Sequence, residues 1–484
     1  MRRMSFVLLA VLCAATALPA AAQVSGAAAA RIDSIVRHEM QLRRIPGVAV
    51  AVVDGGRVTF RRAYGTANLE TETQLGPDAV FELASVTKQF TAAAVMLLVQ
   101  EGNVDLDDPI SRYIDNAPAA WAGITVRRLL THTGGLDSPS VPRYDGSALL
   151  NITTRQAFDF VARMPLRFPP GREGWYSDPG YLLLGMVIEK ASGQAYRPFM
   201  QQHIFDPLQM SHTSILDKAR VLPGRVSTYM LREGRLLNWR RDWDHELPSF
   251  FGIFSTLDDL VKWDAALRTT TWLSASSLQQ LWTPGRLDNG QQARVTDNYY
   301  GFGFELADLR GHRTAGHGGA SGTYLLRFLD EPLTIIVLSN LETMSGNRHP
   351  VLLARSIAGI VRPAYRPSNL LAAQSDPDPS RTAQVRTLLG DMATDRESDI
   401  MSDAYRAWYA GAPGFRAFWG RQIRGLESLA YLAEDDVRDR PLWDAEPLQR
   451  LVHYRVEASG QTLFVTIGLN GAGRIGRVDF TRYN

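Results

Sequence analysis

Cysteine is almost absent from this 484-residue chain, whose one copy is Cys13. Cys13 lies in an N-terminal stretch that reads as a secretory signal. Arg2 and Arg3 give a positive start, Ser5 to Leu18 is apolar but short for a bilayer span, and Ala20-Ala21-Ala22 supplies small residues for cleavage. A buried N-terminal helix is the competing reading of the same residues. With residues 1–22 removed as a signal peptide, the mature chain holds no cysteine. That excludes disulfides and thiolate metal sites, and it suits a periplasmic or secreted protein indifferent to an oxidising compartment.

Lysine is the second scarcity. Lys88, Lys190, Lys218 and Lys262 are the four copies among 52 basic residues, so 52 less 4 leaves 48 arginines. Where lysine survives in so arginine-rich a chain, chemistry closed to arginine becomes plausible, because arginine does not shed its proton in a protein. The formal charge of +2 loses Arg2 and Arg3 with the signal and falls to zero, which argues against nucleic acid as a partner. No second apolar stretch approaches 18 residues, so no membrane span is expected after cleavage. His-Glu-x-x-His and spaced Cys/His sets are missing, so neither a metal nor another cofactor is expected. The α/β-hydrolase nucleophile elbow is missing too: Gly319-x-Ser321 is followed by Thr323 where glycine is needed.

What remains is a globular composition, 45% hydrophobic and 21% charged, long enough for two or three domains. Ala27 to Leu42 reads as a helix. Val48–Val53 and Arg57–Tyr64 read as strands joined at Asp54-Gly55-Gly56. A helical middle follows, and strand-like runs return at Gly301–Glu305, Tyr324–Leu329 and Leu333–Leu338. Strands at both ends with helices between predict an α+β fold, an antiparallel sheet closed by both termini of one domain over residues 27–361. The proline-rich stretch 362–379 reads as a linker, and 380–484 as a smaller α+β module. In that module Phe415–Leu432 reads as a helix, and Leu451–Glu457, Thr462–Leu469 and Arg474–Thr481 as strands. Its aromatic residues read as core rather than as a ligand platform.

Three short motifs carry chemistry. Ser85-Val86-Thr87-Lys88 opens a helical run through Leu98, so Lys88 stands one turn above Ser85 on the same face. That spacing lets an amine take the serine proton, and it aims the Ser85 backbone N–H at a developing oxyanion. Alone, the motif equally fits an N-cap serine with a solvated lysine. Trp175-Tyr176-Ser177-Asp178 precedes the apolar run Tyr181–Ile188. Tyr176 and Asp178 can face one cleft, or Asp178 can simply cap a helix. His317-Gly318-Gly319-Ala320 stands before a strand, where the glycines allow close backbone approach or merely turn the chain. His132 lies in a loop and reads as a packed or hydrogen-bonded histidine.

Together, in this order, the motifs resemble the signatures of the serine β-lactamase and penicillin-binding-protein superfamily, most closely its class C-like branch. Leu129 to Leu136, and Phe254-Ser255-Thr256 with Asp259, Leu260 and Trp263, resemble further segments of that family over about residues 30–345. The resemblance implies a β-lactamase/transpeptidase-like fold with a helical subdomain. It implies an exported hydrolase that passes through an acyl-serine on a small ester, amide or peptide: an esterase, a D-amino-acid peptidase or a weak β-lactamase. It implies Ser85 as nucleophile, Lys88 and Tyr176 as its bases, His317 in the family's lysine-or-histidine position, and the Ser85 and Ala320 N–H groups beside Gly319 as the oxyanion hole. Asp178 departs from the asparagine many relatives carry. A carboxylate cannot donate to a substrate carbonyl, and beside Lys88 it favours the ammonium. The rival reading is a non-catalytic receptor for cell-wall fragments or penicillins.

Overall fold

Strand Gly47–Asp54 sets the architecture by alternation. Ala49 and Ala51 face one hydrophobic core, while Val48, Val50 and Val52 face another on the opposite side. Small residues on the first face leave room for thick helices, and the valines fill the second. The computed structural model describes residues 23–137, 153–215, 217, 219–239, 248–295, 298–344, 346, 348–444 and 446–482. The expected signal over 1–22, with Cys13, lies outside the described residues.

The main sheet is antiparallel throughout. Its strand order is Thr73–Gln74, Arg57–Asn68, Gly47–Asp54, Leu333–Ser339, Thr323–Phe328, His312–Gly319, Glu305–Leu309, Asn298–Tyr300, Arg294–Val295. Helices Gly26–Arg43 and His349–Val361 cover the valine face. The other face carries the helical middle, with helix Thr87–Gln100 at its centre. That helix is buried from Thr87 to Leu98, as expected of a helix apolar nearly all round, and Phe90 stacks on Trp263 at 4.1 Å. The expected α+β antiparallel architecture is therefore present. Among the described residues no helix is long and apolar enough to cross a membrane.

Two element assignments differ from expectation. Gly301–Glu305 is not a strand: strands end at Tyr300 and restart at Glu305, and residues 301–304 turn between them. Gly303 has φ +79°, and a Cβ there would stand 2.6 Å from the Lys88 carbonyl, so glycine lets this turn lie against the Ser85 helix. Phe415–Leu432 is helical only within Pro413–Gln422. Gly425, at φ +65°, breaks the chain, and Leu426–Asp436 is a strand.

The C-terminal residues build a four-stranded antiparallel meander, Leu426–Asp436, Leu448–Ala458, Gln461–Asn470 and Ile475–Arg482. Helices Pro379–Ala393, Asp403–Ala410 and Pro413–Gln422 share its core. In the proline-rich stretch before it, Tyr365 is buried and stacks on Phe328 of the main sheet at 4.3 Å.

The meander grips the Glu305–Leu309/His312–Gly319 hairpin. Trp443 Nε1 donates to the Ala307 carbonyl at 3.0 Å, and Arg310 pairs with Asp435 at 2.5 Å. Arg477 bonds Asp308 and Asp479 and reaches Asp444 at 3.3 Å, while Arg294 bonds Asp479 at 3.0 Å. Three carboxylates thus share two guanidiniums in a buried place. For Asp479 burial acts upward, but Arg477 and Arg294 prevail and its pKa falls. For Asp444 burial prevails over Arg477, and Asp308 and Asp479 add repulsion, so its pKa rises to about 6. A raised carboxylate pKa stabilises the fold at low pH and forfeits that stability as pH rises through about 6. The ionised form then costs on the order of 3 kcal/mol. Asp444→Asn should consequently gain melting temperature over wild type as pH rises from about 4 to about 6 and keep that gain, without further increase, above it. A wild-type-to-variant difference that stays constant across that range would refute the assignment.

Candidate active site

Ser85 stands in a 3-10 turn, Ala84–Val86, at the head of helix Thr87–Gln100. Ala84 has φ +47°, a left-handed conformation that costs a non-glycine residue about 1–3 kcal/mol. Hydrogen bonds hold the turn in place. Leu83 N–H donates to the Ile253 carbonyl at 2.8 Å, and the Leu83 carbonyl accepts from Thr323 Oγ1 at 3.0 Å. The Glu82 carbonyl accepts from Ser321 Oγ at 2.5 Å. Gly319 closes against the same turn: a Cβ there would lie 2.2 Å from the Leu83 carbonyl oxygen. Ala320 follows at the strand end and is tied to Thr343 by a bond from the Thr343 N–H at 2.9 Å. The serine turn and the Gly319-Ala320 segment therefore share one rim, as an oxyanion hole built from both requires.

Lys88 is fully buried, and its ammonium spends three donors on three acceptors. It reaches Ser85 Oγ at 3.2 Å, Asp178 Oδ1 at 2.7 Å and the Phe250 carbonyl at 3.1 Å. The rings of Tyr176, Phe250 and Tyr181 surround it at 4.8, 5.5 and 5.7 Å. Asp178 is the first residue of helix Asp178–Ser192. The N-cap is Ser177, whose side chain accepts from Gly180 N–H at 3.2 Å. Ser177 therefore does the capping and leaves Asp178 to pair with Lys88. Tyr176 approaches Ser85 from the same loop. Burial of its hydroxyl, reinforced by Asp178, holds the phenol well above its ordinary pKa, and the hydrogen bond with Ser85 opposes this only in part.

His317 is buried and neutral, pushed down to about 3 by burial and by the charge of Lys88. Its Nδ1 lies 2.8 Å from the Gly318 carbonyl, which can only accept, so Nδ1 carries the proton. Nε2 then accepts from the Tyr300 hydroxyl at 2.9 Å. Both ring nitrogens are thus committed within the protein.

Sequence reasoning brings Ser85, Lys88, Tyr176, Asp178, His317, Gly319 and Ala320 to one place, and the structure adds Phe250, Tyr300 and His132. Phe250 acts through a backbone carbonyl, which leaves no mark on residue choice. Tyr300 stands in Tyr299-Tyr300-Gly301-Phe302-Gly303, and that tight aromatic-glycine pattern was its available signal. A separate cavity of about 480 Å³ between the sheet edge and the C-terminal meander reaches Gly318 and Gly319 but not Ser85. Among the described residues no three His, Cys, Asp or Glu side chains are disposed to hold a metal ion.

The family model described as Beta-lactamase matches residues 32–357. A penicillin-binding protein of Bacillus subtilis (strain 168) is 30% identical over 331 residues, which span 63% of this chain and 70% of that protein. Among solved structures, the octameric penicillin-binding protein homologue from Pyrococcus abyssi superposes with a TM-score of 0.60 at 20% identity, covering 94% of this chain and 98% of the other. EstCE1, described as a hydrolase with promiscuous acyltransferase activity, gives a TM-score of 0.59 at 22% identity over 70% of this chain and 98% of its own. At those identities the two structures speak for the fold alone. The match over residues 32–357 shows that the chain belongs to the beta-lactamase family and is a serine hydrolase of that kind.

Proposed function

We propose that the protein hydrolyses a small ester, amide or peptide through an acyl-enzyme on Ser85. The observation that carries this reading is the double contact of Ser85 Oγ, with a buried ammonium at 3.2 Å on one side and the Tyr176 phenol on the other. Lys88, ion-paired to Asp178 and with all three donors in use, keeps its proton and steadies negative charge on Oγ. Tyr176 stays a neutral phenol and relays protons. As Ser85 Oγ bonds to the carbonyl carbon, its proton passes to Tyr176 Oη while the Tyr176 proton passes to the departing oxygen or nitrogen. The carbon–leaving-group bond then breaks. Deacylation runs the relay backwards, with water in place of the leaving group. This assignment reconciles a lysine that cannot accept with a tyrosine that resists ionisation.

The ionised Asp178 speaks for substrates that need no amide donor at that position, so esters and simple amides suit the site better than β-lactams with an amide side chain. The likeness to a penicillin-binding protein supports acyl transfer to serine and keeps β-lactams within the panel to be tested. The N-terminal signal pattern and a cysteine-free remainder support a periplasmic or secreted setting.

Intact-mass spectrometry after treatment with a fluorophosphonate should show one adduct on wild type and none on Ser85→Ala. Equal labelling of both would remove Ser85 from the mechanism and reopen the receptor reading. In a panel of p-nitrophenyl esters, D-amino-acid amides and nitrocefin, nitrocefin should turn over most slowly. Tyr176→Phe should lose about 10²–10⁴ in kcat/KM while melting near wild type. Retention of more than about a tenth of wild-type kcat/KM, far short of the loss expected for a missing relay, would pass the proton to Lys88.

A further inference from the structure

His132 lies in the segment Thr131-His132-Thr133-Gly134-Gly135, a loop with no direct contact to Ser85 among its recorded bonds, yet its geometry is unusual on three counts. It is a non-glycine residue at φ +57°. It is 2% exposed and enclosed by the rings of Tyr300, Tyr176 and Tyr181 at 4.4, 4.6 and 5.1 Å. Its imidazole also accepts a backbone hydrogen bond, from Ser177 N–H to Nδ1 at 3.2 Å. Its own carbonyl accepts a second one, from Trp175 N–H at 2.9 Å.

The Trp175 N–H belongs to the Gly174–Trp175 peptide and the Ser177 N–H to the Tyr176–Ser177 peptide, so the two bonds to His132 hold the chain on either side of the Trp175-Tyr176 pair. The left-handed φ of His132 brings its carbonyl and its ring to the same side, so one residue makes both rungs. The imidazole face then lies against the Tyr176 ring. A residue present for packing alone would need no acceptor here. The loop carries this arrangement on its own backbone: Gly171 N–H donates to the Thr133 carbonyl at 2.8 Å, and Arg167 N–H to the Gly135 carbonyl at 2.8 Å.

The acceptor also dictates the tautomer. Nδ1 can accept only if it is unprotonated, which places the ring proton on Nε2, and Nε2 has no hydrogen-bond partner among the described residues. An imidazolium could not make the Ser177 bond at all. Burial, together with the charge of Lys88, holds His132 well below its ordinary pKa and keeps the ring neutral. The unpartnered Nε2–H is a buried polar group left without compensation, a cost that an apolar residue would not carry.

We infer that His132 is the positioning residue for Tyr176, aiming the phenol at Ser85 through a two-rung clamp on Trp175 and Ser177. The inference rests on the reading of Tyr176 as the proton relay. Misplacement of a reacting group by about 1 Å costs on the order of 10² in rate, and that is the effect expected when the ring rung is cut.

Three variants test it. Asparagine tolerates left-handed φ and puts Oδ1 near the place of Nδ1, so His132→Asn should keep kcat within a few-fold of wild type. His132→Gln is polar and similar in volume, but its oxygen reaches the Nε2 position, and His132→Leu fills space without an acceptor. Both should lose about 10² in kcat with little change in KM. The rate constant for fluorophosphonate acylation of Ser85 is the common readout, with thermal melts as control, and it remains measurable in slow variants. In a Tyr176→Phe background, His132→Gln should cost almost nothing further, because it acts through the tyrosine. A full additional loss in that background would overturn the clamp, as would His132→Asn falling as low as His132→Gln. If Tyr176→Phe alone is nearly as fast as wild type, the relay reading fails. A loss in His132→Gln alone would then show that the histidine serves something other than Tyr176.

Discussion

The active site is organised around one buried positive charge. A fully buried ammonium is tolerated only when it is paired and its donors are satisfied, because its desolvation otherwise costs far more than a protein's whole stability. Lys88 meets that demand with Asp178, the Phe250 carbonyl and Ser85 Oγ. These acceptors come from three distant parts of the chain, so satisfying the charge brings together the serine turn, the start of helix Asp178–Ser192 and the segment before Ile253. Removing Asp178 would leave the buried ammonium without its counter-charge, and because Asp178 itself is partly open to solvent the loss falls below that of a fully buried pair. Burial first, and the same charge after it, depresses His132 and His317 and so keeps both rings neutral. The site's hydrogen-bond pattern depends on that neutrality, since each histidine uses a bare nitrogen as an acceptor.

Asp178 takes on a particular meaning in this setting. An asparagine could accept from Lys88 but would not neutralise it. A carboxylate does both, and in return it gives up any donor it could have offered a substrate carbonyl. In the proposed mechanism Lys88 thereby serves as a fixed cation instead of a base. That moves proton transfer to Tyr176 and makes the orientation of a single phenol decisive. The clamp by His132 matters for this reason: a proton relay tolerates little error in direction, whereas a charge acts over longer distances.

Much of this could be read from residue order. Ser-x-x-Lys at a helix head, Tyr-x-Asp before a helix and His-Gly-Gly-Ala before a strand each encode local geometry, because their spacings match helical or strand periodicity. The antiparallel sheet closed from both ends was legible in the short apolar, β-branched runs near Val48 and Leu333. Sequence reading failed where the deciding contact was not written in side-chain pattern. The Phe250 carbonyl has no residue signature, and the bond between Tyr300 and His317 depends on how two hairpins register. The run Gly301-Phe302-Gly303-Phe304 alternates like a strand, but the near approach of Gly303 to Lys88 forces a turn. Leu426–Asp436 carries enough alanine, leucine and glutamate to pass for the continuation of a helix, and only the left-handed Gly425 interrupts it. The role of His132 was hidden by its φ, which no spacing rule reveals.

The C-terminal meander bears on the site through the strand it holds. Its contacts with Ala307, Asp308 and Arg310 fall at the far end of the hairpin, near Gly311, where any Cβ would strike Val437 at 2.5 Å. From His312 the strand runs to Gly319, roughly 23 Å at about 3.3 Å per residue. Residues 312–316 pair with Glu305–Leu309 and residues 314–319 with Thr323–Phe328, so the two ladders overlap at 314–316 and leave no part of the strand unpaired. A strand so paired moves as a unit, because a slip of one residue would turn His317 away from Tyr300 and put Gly318 where Gly319 must lie flat on Leu83. Fixing the hairpin at its base therefore constrains register at its tip. The buried network of Arg294, Arg477, Asp308, Asp444 and Asp479 makes that base rigid through charge.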